Sequence, residues 1–254
     1  MGWGVSPRPI VFYNQAMTDE AAITLGHPSY VWRFGQDRRL GLILKYSPSE
    51  RRRVLDIGCG IGTYVTKLEQ NGTRAFGVDV AFDRVQKGHS LKLAQALSES
   101  LPFAEGVFDM TLLHEVIEHV QDDRATVTEA VRVLRPGGRV IIFAPNRGWP
   151  FETHGFFWRG RYHFGNIPLV PYLPDPLRGR LAPHVRTYTS SSIRRLADGL
   201  PARVVAHTQV YPGYDKLIAR RPALGKVLRS ASYALEATPL RLFGLSHLLV
   251  LERV

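Results

Sequence analysis

Residues 112–123, LLHEVIEHVQDD, begin as an apolar strand and turn within a few positions into acids and imidazoles. Glu115, Glu118 and His119 stand at i, i+3 and i+4, a spacing that sets three side chains on one face of a helical turn. Three roles fit them. Acids in the first turn of a helix complement its dipole, with His119 bracing a loop. His119, steered by Glu118, is a candidate general base. All three together are candidate ligands for a divalent ion.

A second constellation precedes them. VLDIGCGIG ends a short apolar run at Asp56 and then places Gly58, Gly60 and Gly62 at alternate positions before a helix-like stretch. Glycines there permit positive φ and bring backbone close to a ligand, and the helix start presents unpaired N–H groups. Asp79, at the end of the next apolar run, is a carboxylate suited to a ribose diol. The spacing is G-x-G-x-G rather than the dinucleotide G-x-G-x-x-G, and Asp56 would repel a pyrophosphate. A nucleoside with an amino-acid tail fits better.

These groups must be carried by elements that the rest of the sequence suggests. RVLDIG, RAFGVDV, LKLAQAL, FDMTLLH and RVIIFAP read as strands one to five. GTYVTKLEQNG reads as a helix, and so does RATVTEAVRVLRPGG, with Pro136-Gly137-Gly138 as its stop. SSIRRLADGL reads as a further helix capped by Ser191 or Ser192, and ARVVAHTQV and HLLVLERV as strands six and seven. The alternation predicts a Rossmann-like α/β fold: a doubly wound, seven-stranded, mostly parallel sheet with helices on both faces. Residues 1–50 read as an N-terminal helical extension, and 51–254 as one domain with insertions at about 146–183 and 211–245.

VLDIGCGIG, GVDV, LPFAEGVFD, EVIEHV and RVLRPGGRVIIFAPN occur in order and at the usual separations. Together they resemble a class I S-adenosylmethionine-dependent methyltransferase, in its ubiquinone-type and small-molecule O-methyltransferase branch. The resemblance covers about residues 38–146 and implies S-adenosyl-L-methionine as cofactor. It implies that Asp56, Gly58 and Gly60 face the methionine portion, that Gly62 and Cys59 complete the loop, that Asp79 takes the ribose hydroxyls, and that Val80 lies against the adenine. Cys59 reads there as a small residue in a crowded turn. Ser98 and Glu99 fall in the segment that borders the adenine, and His114 and Arg39 resemble further cofactor-side positions. One departure is Leu97, where many relatives carry an Asp that meets the adenine amino group; either Glu99 substitutes, or backbone alone reads the base.

E-x-x-E-H followed by a distant histidine also resembles the metal site of small-RNA 2′-O-methyltransferases. There the last histidine lies five residues before a Thr that opens a helix, as His184 does before Thr189. The resemblance thus implies a metal set of Glu115, Glu118, His119 and His184. Such ligands suit Mn²⁺, Fe²⁺ or Zn²⁺ better than Mg²⁺.

The acceptor should be set by the insertions. Residues 146–183 are rich in aromatics, among them Trp149, Phe156, Trp158 and Tyr162. They read as a lid, with His154 or Glu152 reaching a hydroxyl. The helix expected over 222–235 puts Leu224, Val227, Leu228, Ala231 and Leu235 on one stripe, flanked by Lys216, Arg220, Arg221, Lys226 and Arg229. The stripe either docks on the core or lies on an anionic membrane.

Composition bounds the rest. The chain has 254 residues, 44% hydrophobic and 22% charged, as in a globular protein. One cysteine excludes an intramolecular disulfide and suits a reducing cytoplasm. No apolar run reaches 18 residues and the start lacks a signal-peptide core. Gly2 and Ser6 fit the loose myristoylation pattern, which six residues often match by chance. A net charge of +11 points to an anionic partner or a solvated surface. The expected activity is methylation of a hydroxyl on a small or lipid-linked acceptor, in a cytoplasmic protein with peripheral membrane contact as an option. A metal-assisted RNA or sugar 2′-O-methyltransferase and a non-catalytic cofactor-binding partner protein are the alternatives. No RNA-reading module is visible, so nucleic acid is not favoured.

Overall fold

The computed structural model describes residues 31–49, 52–88 and 92–254. Gly2, Ser6 and the rest of 1–30 lie outside them. β1 (Arg53–Ile57) is buried from Val54 onward and pairs in parallel with β2 (Arg74–Asp79) on one side and β4 (Phe108–His114) on the other. Burial on both faces explains why these strands read as continuous apolar runs rather than alternating ones. β3 (Leu93–Gln95) pairs with β2 at the edge, and β5 (Leu134–Pro145) lies beside β4. β10 (Ala202–Val210) and β11 (Ser246–Arg253) complete the sheet, in the order β3-β2-β1-β4-β5-β11-β10. Only β11 opposes its neighbours, pairing antiparallel with β5 and β10.

Adjacent β4 residues feed opposite cores. Leu113 packs with Val127, Val131 and Ile142, whereas Leu112 packs with Leu40, Val65 and Leu68. Helices α1 (Phe34–Tyr46) and α2 (Thr63–Gln70) cover the second face. Helix α4 (Asp123–Arg132), which follows the short α3 (Phe82–Gln86), covers the first. Asp122 caps α4, its Oδ1 accepting from Ala125 N at 2.8 Å.

Two local expectations are corrected. Helix α4 stops at Arg132, not at the Pro-Gly-Gly turn, because Leu134 already pairs with Phe108. The ladder then skips to Met110 opposite Arg139, so Arg135 to Gly138 bulge out, with Gly137 at φ +77°. Helix α6 (Ser190–Arg195) is capped by Thr189, not by Ser191 or Ser192; Thr189 Oγ1 accepts from Ser192 N at 3.1 Å.

The 146–183 segment folds into its own small pieces. β6 (Phe151–Glu152) pairs with β9 (Ile167–Pro168), and β7 (Phe156–Trp158) with β8 (Arg161–His163). Helix α5 (Asp175–Leu181) closes the segment. In the second insertion, α7 (Asp215–Arg220) leads into α8 (Pro222–Leu235). Helix α8 buries Gly225 and Ser232, Ser232 pairing with the Tyr214 hydroxyl at 2.9 Å. Leu224, Val227 and Leu228 are exposed, so the apolar stripe does not dock on the core.

Candidate active site

The glycine loop leaves β1 with Gly58, Gly60 and Gly62 all at positive φ. Gly58 N and Cys59 N both donate to Val78 O, at 2.7 and 2.9 Å, which clamps the loop to the end of β2. A Cβ on Gly58 would lie 2.5 Å from Val116 Cγ2, whereas one on Gly60 would meet nothing within 4 Å. The side of the loop at Gly60 is therefore open to a ligand. Asp79 steadies it: Oδ2 accepts from Gly60 N and Oδ1 from Ala81 N, each at 2.8 Å. Asp56 is buried, and burial with the nearby Asp79 raises its carboxyl well above the usual range. Val80 is exposed beside the loop. Cys59 packs against Gly77, and burial raises its thiol further from ionisation, consistent with a small filler rather than a nucleophile.

Ser98 and Glu99 are engaged in positioning. Ser98 Oγ lies 3.1 Å from Thr126 Oγ1, and Glu99 Oε1 accepts from Gln121 N at 3.0 Å. Leu97 is exposed.

Past β4 the expected helical turn does not form. Glu115 takes a left-handed φ of 56°, which interrupts helical hydrogen bonding. His119 N closes only a tight turn onto Val116 O at 2.9 Å. The remaining backbone groups are satisfied from outside. Tyr188 Oη donates to Ile117 O at 3.0 Å and Arg186 N to Glu118 O at 3.1 Å.

The two acids, though still neighbours, take different partners. Glu115 Oε1 accepts from Arg39 Nη1 at 2.6 Å and from Ser246 Oγ at 2.7 Å. Against burial, which works the other way, Arg39 holds the Glu115 carboxyl well below the usual range. Arg39 Nη1 also donates to His114 Nε2 at 3.0 Å, where the Tyr64 hydroxyl lies at 3.2 Å. Burial first, and Arg39 second, lower His114 to about 3, so its imidazole is neutral.

Glu118 faces a different set. One donor atom each from Glu118, His119 and His154 lie within 4.8 Å of one another. His119 Nε2 is 4.0 Å from Glu118 Oε1. Glu118 is 1% exposed and neither carboxylate oxygen has a hydrogen-bond partner, nor does His119 Nδ1. Burial and the neighbouring Glu115 raise the Glu118 carboxyl, while burial and His154 lower His119 to about 3.

His154 comes from the insertion and is held there. Its Nδ1 lies 3.1 Å from Glu152 Oε1, and its backbone N donates to the same oxygen at 3.1 Å. Arg178 Nη2 donates to Glu152 Oε2 at 3.2 Å and to Val185 O at 3.0 Å. Burial opposes ionisation of Glu152, but His154 and Arg178 keep its carboxyl below the usual range.

The expected metal set is thereby rearranged. Glu118 and His119 remain together, His154 joins them, and Glu115 turns to Arg39. His184 supports the group from behind, its Nε2 3.1 Å from His154 O. Ser246, Tyr64 and Arg178 carried no sequence signal, because each meets the site through contacts far apart in the chain.

A seven-stranded, mostly parallel sheet in this order, with a glycine loop after β1 and an acid at the end of β2, is a Rossmann-like α/β fold. Residues 55–142 match the methyltransferase domain family. Norajmaline N-methyltransferase of Rauvolfia serpentina is 35% identical over 109 residues, 38% of this chain and 37% of that one. A ubiquinone biosynthesis O-methyltransferase of Paracidovorax citrulli is 33% identical over 122 residues, 43% of this chain and 50% of its own. The chain thus spans half or less of the length of these relatives. In fold it is similar to an S-adenosylmethionine-dependent methyltransferase from Mesorhizobium loti, with a TM-score of 0.57 and 17% identity over 86% of this chain and 98% of that one. Residues 55–142 are thus similar to a methyltransferase domain, and the relatives that match this part of the chain are named as methyltransferases.

Proposed function

We propose that the chain transfers the methyl group of S-adenosylmethionine to a hydroxyl of a small or lipid-linked acceptor. The observation that carries this is the Glu118–His119–His154 group beyond β4, on the loop whose Val116 packs against Gly58 of the glycine loop. The sulfonium already provides the leaving group, so the protein's work is alignment and exclusion of water. A hydroxyl acceptor must also lose a proton, and the His119 imidazole, which burial keeps neutral, suits that need. Asp79 would take the ribose and the Gly58–Gly60 backbone the methionine end. Ubiquinone-type relatives methylate oxygen by name, whereas the norajmaline relative methylates nitrogen; the acid–imidazole pocket favours oxygen here.

Incubation with methyl-labelled cofactor and a panel of phenolic, catecholic and amine acceptors tests this. Label in a methyl ether, lost in His119→Gln, is expected. Label only on amines, or none with any acceptor despite bound cofactor, would overturn it.

A lipid-linked acceptor gains support from α8. Exposed Leu224, Val227 and Leu228 stand among Arg220, Arg221 and Lys226, a pattern suited to an anionic bilayer surface. Among the described residues no helix is long and apolar enough to cross a membrane. Co-flotation with anionic but not neutral vesicles, weakened by Val227→Glu, is expected; equal recovery without vesicles would remove the idea.

A further inference from the structure

We infer that Glu118, His119 and His154 form a binding site for one divalent transition-metal ion, with Glu152 as the residue that positions His154. The inference deepens the proposed function and rests on it, since the site lies where the acceptor would be.

The first argument is the unmet bonding of buried atoms. Glu118 is 1% exposed, yet both its oxygens lack a partner, as does His119 Nδ1. Leaving a buried carboxylate without any donor is costly. Nearby cationic side chains are engaged elsewhere. Arg39 binds Glu115 and Ser246, Arg178 binds Glu152, and the Arg186 guanidinium binds the carbonyls of Val120 and Gln121. What faces Glu118 is two imidazoles, which offer lone pairs, and the neighbouring Glu115 carboxyl.

Spacing is the second argument. Bonds of about 2.0–2.2 Å to nitrogen and oxygen place two ligands of one ion roughly 3–4 Å apart. The His119 Nε2 to Glu118 Oε1 separation is 4.0 Å, and all three groups fit within 4.8 Å. Small side-chain movements would bring them onto one ion.

The third argument is the arrangement around His154. An imidazole whose Nδ1 is held by a carboxylate has its orientation and tautomer set, a usual companion of metal-ligating histidine. Glu152 holds that atom at 3.1 Å and is itself fixed by Arg178. This support reaches across the insertion to a histidine that the E-x-x-E-H spacing does not include. Two imidazoles and one carboxylate suit Zn²⁺, Mn²⁺ or Fe²⁺ over Mg²⁺. Three protein ligands leave a position open, and an ion there lowers the pKa of a bound hydroxyl.

The test uses the full chain, stripped with chelator and titrated with ZnCl₂ and MnCl₂ by calorimetry, with elemental analysis after gel filtration. One equivalent per chain is expected. Glu118→Gln and His154→Gln should each weaken binding at least tenfold, and Glu152→Gln should weaken it about 10- to 100-fold by releasing His154. His207→Gln, away from the group, should leave it unchanged. S-adenosylhomocysteine titrations and melting curves on the same samples show that each variant is folded and binds cofactor. No saturable metal binding to the wild-type chain overturns the inference, and so does equal affinity in folded Glu118→Gln and His154→Gln. Cofactor binding without metal binding sinks the inference alone. Failure to bind S-adenosylhomocysteine sinks the methyltransferase reading, whatever the metal result.

Discussion

Arg39 in α1 and Glu115 beyond β4 form an ion pair of 2.6 Å across 76 residues of chain, and this pair fixes where the acidic loop turns. Both side chains are largely withdrawn from solvent, so removing one leaves the other without its partner. Arg39→Met should destabilise the fold by about 3–5 kcal/mol, read as a lower urea midpoint. Adding Glu115→Gln should recover a substantial part, because the stranded carboxylate is then gone. A double variant no more stable than Arg39→Met would show that packing, not charge, dominates.

Gly58 and Val116 meet where the glycine loop adjoins the acidic loop. Gly58→Ala places a Cβ 2.5 Å from Val116 Cγ2 at a φ of +75°, so both overlap and backbone strain oppose it. A loss of about 2–3 kcal/mol is expected from these two effects. Val116→Ala should restore the overlap part and leave the strain, giving a non-additive cycle in thermal melts. Simple additivity would contradict the contact.

Asp79 holds the glycine loop through both carboxylate oxygens. Asp79→Ala should weaken S-adenosylhomocysteine binding by at least about tenfold, since one hydrogen bond to a charged group contributes about 1.5–3 kcal/mol. Asp79→Asn, retaining one acceptor, should fall between. Calorimetry of both against wild type decides it, and unchanged affinity in Asp79→Ala would remove Asp79 from the site.

His114 links stability to pH. Its folded value of about 3 lies below the ordinary 6.5, through burial and Arg39. Between these values the unfolded chain holds a proton that the folded chain does not. Stability from this group therefore falls as pH drops from about 6.5 towards 3, at up to about 1.4 kcal/mol per pH unit. Urea denaturation at pH 7, 6, 5 and 4 should show a shallower decline in His114→Gln. Parallel curves for the two proteins would contradict this assignment.

Much of the frame was legible along the chain. Apolar runs marked β1, β2, β4 and β5, because strands buried on both faces need little else. The loop glycines were legible because positive φ restricts residue type, whereas the contacts of Asp79 to Gly60 N and Ala81 N were not. The end of α4 was not, since Pro136 and the glycines look like a helix stop and only pairing with β4 shows the strand resuming at Leu134.

The sequence by itself determined the sheet, the glycine loop and the presence of acids and imidazoles after β4. Only the tertiary structure decided which of them meet. A spacing of i, i+3, i+4 gathers side chains only if the backbone is helical, and the left-handed Glu115 removes that condition. Glu115 is then drawn to Arg39 from α1, while Glu118 and His119 face His154, held from the insertion by Glu152. Those meetings depend on where β11, the insertion and α1 pack against the end of β4, and long-range packing leaves no periodic trace in the residues that it joins.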